Sequence, residues 1–395
     1  MILIDLLPYI GLLLLTLLIP FFVNDKKKYM FFLFLVYFVF CGFRYGVGWD
    51  YYNYLNVIEY GGWRFEKTEF LVRQLDIFCE KNGFTQFFFV ATSFVIILFF
   101  FLMFAKESEN PAVSVFVFLC IPTFFLNSLT LVRYFLAVST VFLACHYGYK
   151  KQYILYFSLL FVAFLFHRAA VFGLVTVPFV LMKKDFGLAT NLIIFIFCFV
   201  LGTIIGSFSF MSSVFDYLSG TSLFGDLFES GEQYMKDTGN ANFSRTPYVF
   251  ALINLINLFS FYLNNNISFP ANEQNEDEQN EDEQYEDEQN EDDQNEDDQS
   301  ESSQRLGHFV TMYNIGCSLM FLFSFNAVFS NRLSLVFTIF LTLVVPLYKN
   351  KPIAKMAVYS ICIFVFFYEL TIKASHPLFI GRQNCWLPYM MNFSL

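Results

Sequence analysis

Four arginines, Arg44, Arg133, Arg168 and Arg332, stand at the ends of long apolar runs, each among neighbours suited to holding a phosphate or a sugar. A guanidinium is a planar fork that grips phosphate or carboxylate through two parallel hydrogen bonds, which an ammonium cannot do. Arg44 lies in Phe43-Arg44-Tyr45-Gly46-Val47-Gly48-Trp49-Asp50-Tyr51-Tyr52-Asn53-Tyr54. The rings of Trp49, Tyr51, Tyr52 and Tyr54 can cover the apolar CH patches of a sugar, while Asp50 and Asn53 bond its hydroxyls. Gly46 and Gly48 permit a tight backbone path. An interfacial aromatic belt would account for the Tyr and Trp residues, but not for Arg44 and Asp50 beside two glycines. Arg133 begins an apolar run, where a charge at the helix centre would cost about 2.5–3.5 kcal/mol and one near the interface less. The bland alternative is a side chain snorkelling to the headgroups. His167-Arg168 forms a tight turn that could combine proton transfer with phosphate binding, although a lone His is often a structural hydrogen-bonder. Arg332, in Ser330-Asn331-Arg332, holds an equivalent position, and Arg245 closes a long loop that it could simply anchor.

The elements that must position these groups are apolar helices. Only 15% of the 395 residues are charged and 58 are Phe, whereas a soluble chain carries about 25% charged residues. A bilayer-crossing helix needs roughly 20 mostly apolar residues. Twelve such runs predict about twelve transmembrane helices: 3–23, 29–43, 84–104, 111–128, 131–147, 153–166, 169–182, 187–206, 247–263, 308–326, 332–347 and 353–371. The first lacks a basic leading region and a small-residue cleavage site and reads as a retained helix. The expectation is therefore an all-α polytopic membrane protein with one membrane domain over 1–395. Its long external loops are 44–83 and 207–246.

Lysine sets the orientation, because short cytoplasmic loops collect basic residues. Lys26–Lys28, Lys106, Lys150-Lys151, Lys183-Lys184, Lys349, Lys351 and Lys355 fall in every second loop, which places those loops in the cytoplasm. Arg44, Arg64, Arg73, Arg133, Arg168, Arg245, Arg332 and Arg382 then lie outside. A topology signal alone would not separate Lys from Arg, so the external face has a specific use for guanidinium.

Half the acidic residues, 17 of 34, lie between Glu273 and Glu301, and removing them turns the net charge from −10 to +7. This stretch repeats a five-residue unit of the type QNEDE. It has too few apolar residues to bury a core, which predicts a disordered acidic cytoplasmic loop over 264–306. It reads as a solvated insert or as a docking tail for a basic partner. The eight Cys have no zinc spacing, and those within the runs read as small buried apolar groups. No carboxylate pair, phosphate loop, GxSxG or metal cluster is visible, and nothing favours nucleic acid. No metal and no cofactor are expected.

FRYGVGWDYYNY at 43–54, LVRYFLAVS at 131–139, FHRAAV at 166–171, NRLSL at 331–335 and LPY at 387–389 resemble, in the same order, the EpsG family of bacterial exopolysaccharide proteins. That family is similar to the Wzy polymerases of O-antigen and capsule synthesis. One departure is Tyr134, where relatives are expected to carry Gln after the Arg. The resemblance implies a GT-C-like architecture and a glycosyltransferase in the bacterial inner membrane, joining repeat units on its periplasmic face. Its substrates would be oligosaccharides carried on undecaprenyl diphosphate. A chain-length regulator and other polysaccharide-assembly proteins are candidate partners, beside membrane lipid. Arg44, Arg133, Arg168 and Arg332, with Arg245, would hold the diphosphates, and Asp50 or His167 would take the acceptor proton. Three alternatives stay open: a ligase or acyltransferase on the same lipids, a flippase, and a structural subunit. A flippase should carry midplane charge and an internal repeat, and the sequence has neither.

Overall fold

The computed structural model describes residues 2–61, 68–181, 186–206, 246–265, 306–324, 327–348, 351–371, 386 and 389–393. The readings made for Arg64, Lys183-Lys184, Arg245, Lys349, Arg382, most of the loop 207–246, most of the acidic segment 264–306 and Leu387-Pro388 lie outside these residues.

Among them, helices follow one another as α1 (Ile2–Phe22), α2 (Lys26–Gly42), α3 (Tyr51–Tyr60), α4 (Phe70–Asn82), α5 (Thr85–Glu107), α6 (Pro111–Cys120), α7 (Phe125–Thr130), α8 (Val132–Tyr149) and α9 (Tyr153–Phe166). A 3₁₀ turn, Arg168–Val175, runs into α10 (Thr176–Leu181), then come α11 (Leu188–Gly206) and α12 (Thr246–Asn265). The last are α13 (Leu306–Leu322), α14 (Ala327–Thr338), α15 (Leu341–Val344) and α16 (Pro352–Thr371). Among the described residues, each of the twelve apolar runs is mostly helical. Four stretches are by themselves long and apolar enough to cross a bilayer: Thr85–Glu107, Leu188–Ile205, Phe329–Leu347 and Pro352–Thr371. The chain is an all-α membrane protein.

Local chemistry sets the helix starts. Asp25 Oδ1 accepts from the Lys27 and Lys28 N–H groups and opens α2. Asn110 accepts from Val113 N–H and Pro111 takes the first helical position of α6, where its missing N–H costs nothing. The run 111–128 is broken between α6 and α7, where Ile121 leaves the helix in extended backbone. The segment 44–83, read as a loop, carries two helices, α3 and α4.

α8 is the central post. Almost every side chain from Tyr134 to His146 is buried, so its apolar residues go all the way round, as a core helix requires. α5, α9 and the 3₁₀ turn pack around it. The pair His146–Glu107 ties the far ends of α8 and α5 together. In the C-terminal half, helices are joined by amides. Asn254 Nδ2 donates to Asn314 Oδ1 at 2.8 Å, and Asn314 Nδ2 donates to Asn191 Oδ1 at 3.0 Å. All three are fully buried. In hydrocarbon such bonds join helices where apolar packing alone cannot discriminate protein from lipid. A short antiparallel ribbon pairs Arg44 with Met391 and Tyr45 with Met390, which brings the C-terminal segment onto the first motif.

Candidate functional site

The stretch after α2 is laid over the α7–α8 junction by its backbone. Gly48 has φ +102°, and a Cβ there would stand 2.5 Å from the Leu129 carbonyl oxygen. Only glycine allows that approach. The Trp49 N–H donates to Thr130 Oγ1 at 3.3 Å. The chain thus arrives at the start of α8, three residues from Arg133, just as it delivers Asp50 and α3. Tyr51 is stacked on Phe89 at 4.3 Å and Tyr54 packs on Phe88 at 5.4 Å. Trp49, Tyr52 and Asn53 are exposed at the surface. Asp50 accepts from Asn53 Nδ2 at 3.1 Å.

Arg133, in the first turn of α8, is half-buried, and its Nη1 donates to Glu69 Oε2 at 2.8 Å. Glu69 sits at the start of α4. Its other oxygen, Oε1, accepts from the Arg168 main-chain N–H at 3.3 Å and stands 3.6 Å from His167 Nδ1. One carboxylate therefore joins α4, α8 and the turn that opens the 3₁₀ segment. Arg73 holds the root of α4 by donating from Nε and Nη2 to the Thr68 carbonyl at 3.1 and 2.7 Å. Arg332 enters from α14. Its charge acts on Tyr134, Arg133, Asp50 and Glu69, and its carbonyl accepts the Tyr134 hydroxyl. Tyr134 in turn meets the His167 ring edge-on at 5.6 Å. Tyr134 thus serves as the strut between α8, α14 and the His167 turn.

Of the predicted residues, Arg133, His167 and the Arg168 main chain meet at Glu69, Arg332 acts on both Arg133 and Glu69, Tyr54 is bonded to Arg133, and Asp50 acts on Arg332. Burial, and then the charges of Arg133, Arg332 and Arg168, push His167 well below the usual histidine range. It is neutral at pH 7. Its Nδ1 accepts the Ala169 N–H at 3.0 Å and caps the 3₁₀ turn, which leaves the proton on Nε2. In this position His167 is a donor rather than a base. Burial raises the Tyr54 hydroxyl, while the nearby Arg133 pulls it down.

Arg44 stands apart from this group. Its side chain is 1% exposed. Nη1 donates to the Cys41 carbonyl and to Ser93 Oγ at 3.0 Å, Nη2 donates to the Leu129 carbonyl at 3.2 Å, and the guanidinium lies 5.0 Å from the Phe89 ring centre. Here the fork binds main chain and locks the first motif onto α2, α5 and the α7–α8 junction.

Two carboxylates of the site escaped the sequence reading. Glu69 and Asp76 lie seven residues apart, two turns of one face of α4, and both act on Arg133. Asp76 is 3% exposed, and burial pushes its carboxyl up to about 7 against the pull of Arg133. The available signal was that spacing on an amphipathic stretch flanking the first motif. Two guanidinium groups, those of Arg133 and Arg332, act on Glu69, and their charges reach His167 together with that of Arg168, so this corner is rich in cation and suits an anion.

The EpsG family model matches residues 27–280 and 285–391. No curated protein and no solved structure matches the chain.

Proposed function

Because the chain belongs to the EpsG family, we propose that it is a Wzy-like polysaccharide polymerase: a glycosyltransferase that joins oligosaccharide repeat units carried on undecaprenyl diphosphate. In this reading twelve helices cross the bacterial inner membrane, with the lysine-rich loops in the cytoplasm and the site on the periplasmic face. The architecture would be GT-C-like. A chain-length regulator and other assembly proteins would work beside it.

The observation that carries this reading is the meeting of Arg133, from α8, and Arg332, from α14, at one half-buried point on the His167-Arg168 turn, with Trp49, Tyr52 and Asn53 of the first motif exposed. Diphosphate is the leaving group when a glycosyl–phosphate bond breaks, and negative charge grows on it in the transition state. Guanidinium groups already in place stabilise that charge without reorganising. The exposed rings and Asn53 suit the sugar. Arg133 opens α8, Arg168 follows α9 and Arg332 lies in the first half of α14; charges near helix starts and turns support an enzyme over a flippase.

A deletion strain tests the reading. A polymerase deletion leaves single repeat units on the carrier, whereas loss of a ligase leaves long lipid-linked chains. Complementation with Arg332→Ala should then restore protein to the membrane but lower polymer formation by about 100-fold, the usual effect of removing one donor to a developing anion. Wild-type polymer from Arg332→Ala and Arg133→Ala would refute the assignment.

A further inference from the structure

We propose that Glu69 is the catalytic proton acceptor, held on Arg133 in the resting protein and released to the acceptor hydroxyl when a diphosphate takes the guanidinium over. This rests on the polymerase reading. The carboxylate occupies the place an anion would choose. It receives a guanidinium N–H at 2.8 Å and a main-chain N–H at 3.3 Å, with a second guanidinium, Arg332, acting on it. These are the donors a phosphate would recruit. A bound diphosphate therefore competes with Glu69 for Arg133. Among the described residues, Glu69 is the carboxylate that contacts the Arg133 guanidinium, the Arg168 main-chain N–H and the His167 ring.

The other candidates are worse placed. His167 has spent its Nδ1 lone pair on Ala169, and its surroundings disfavour a second proton. Asp76 is closed off behind Arg133 at 3% exposure. Asp50 accepts from Asn53 at the entrance to α3 and lies toward the sugar surface.

In the step itself, Glu69 takes the proton of the acceptor hydroxyl. The hydroxyl oxygen forms the new bond to the donor's anomeric carbon. The bond from that carbon to the phosphate oxygen breaks, and its electron pair leaves on the diphosphate, where Arg133, Arg168 and Arg332 receive the charge. The proton later passes from Glu69 to water. Nothing else is consumed.

Binding and turnover should therefore part company in Glu69→Gln. Full-length protein in lipid nanodiscs is titrated with undecaprenyl diphosphate, and the same variants complement the deletion strain for polymer length. Glu69→Gln should bind the diphosphate as tightly as wild type or tighter, because a competing anion is gone. Its polymer formation should fall by about 100-fold or more, as for loss of a general base. Glu69→Asp, which keeps the carboxylate one methylene short, should recover part of the polymer. Weaker diphosphate binding in Glu69→Gln would make Glu69 a mere strut and overturn the proposal. So would normal polymer length, or the same split appearing in Asp50→Asn instead. If Arg133→Ala and Arg332→Ala bind undecaprenyl diphosphate like wild type, it is the diphosphate site that fails, a distinct result.

Discussion

At the scale of single residues, two arginines of the same sequence pattern have opposite surroundings. Arg44 is enclosed and spends its donors on the Cys41 and Leu129 carbonyls, whereas Arg332 is half-buried among charged groups. Removing Arg44 would leave two buried carbonyls short of a donor, at about 1–3 kcal/mol each. Lysine would not replace the fork. Arg44→Ala should lower the yield of monodisperse protein and its thermal midpoint, while Arg332→Ala leaves both near wild type; size-exclusion profiles and melting curves of the two compare them directly. Asp76 supplies a pH signature. Its carboxyl titrates at about 7 in the folded protein against 3.8 in an unfolded chain. The folded state holds this proton more tightly, so the group's effect on stability worsens as pH rises from 3.8 to 7 and is complete above that. The shift corresponds to roughly 4 kcal/mol. The protein should melt a few degrees higher at pH 5.5 than at pH 8.5, and Asp76→Asn should erase most of that difference. An unchanged difference in the variant would mean that other groups set it.

At the scale of elements, the apolar runs were legible because hydrophobic length is a local property, and the described residues of each are mostly helical. Their breaks were less so. The run 111–128 is two helices, and 169–182 begins as a 3₁₀ turn, because the preferences that decide there come from neighbours that composition does not reveal. That Arg133, Arg332 and the His167-Arg168 turn come together agrees with each standing at the end of an apolar run. Glu69 could not be singled out in the same way. Its partners lie 64 and 99 residues away, and one carboxylate among 34 acidic residues carries no mark of its distant contacts. Close approach between elements is equally hidden. Gly202 on α11 lies against α13 so tightly that a Cβ would stand 2.1 Å from the Phe321 carbonyl oxygen. Small residues let membrane helices meet in this way. Gly202→Val should force α11 and α13 apart and lower the thermal midpoint, whereas Gly187→Ala, where nothing lies within 4 Å, should not.

At the scale of the whole molecule, three helices each have lysine at one end and an arginine motif at the other, whichever way the chain runs. α2 runs from Lys26–Lys28 to the Arg44 motif, α5 from Gln86 beside that motif to Lys106, and α8 from Arg133 to the edge of Lys150. Lysine thus marks one end of the bundle and the arginine site the other. The 18 residues of α8 span about 27 Å at 1.5 Å each, close to the roughly 30 Å of a bilayer's apolar core. If lysine faces the cytoplasm, Arg133, Arg168 and Arg332 face outward, where a lipid-linked unit that has already crossed the membrane can reach them. Trp49 is 44% exposed beside the site, and Lys150 is exposed at the opposite end. Cysteine at position 49 should therefore react with a membrane-impermeant maleimide in intact spheroplasts, and cysteine at position 150 only after permeabilisation. The described native cysteines are buried except Cys198, which is partly covered, so the background is low. The reverse pattern would turn the arginines toward the cytoplasm, where sugars arrive on nucleotides rather than on finished lipid-linked repeats, and polymerisation of those repeats could not be the reaction they serve.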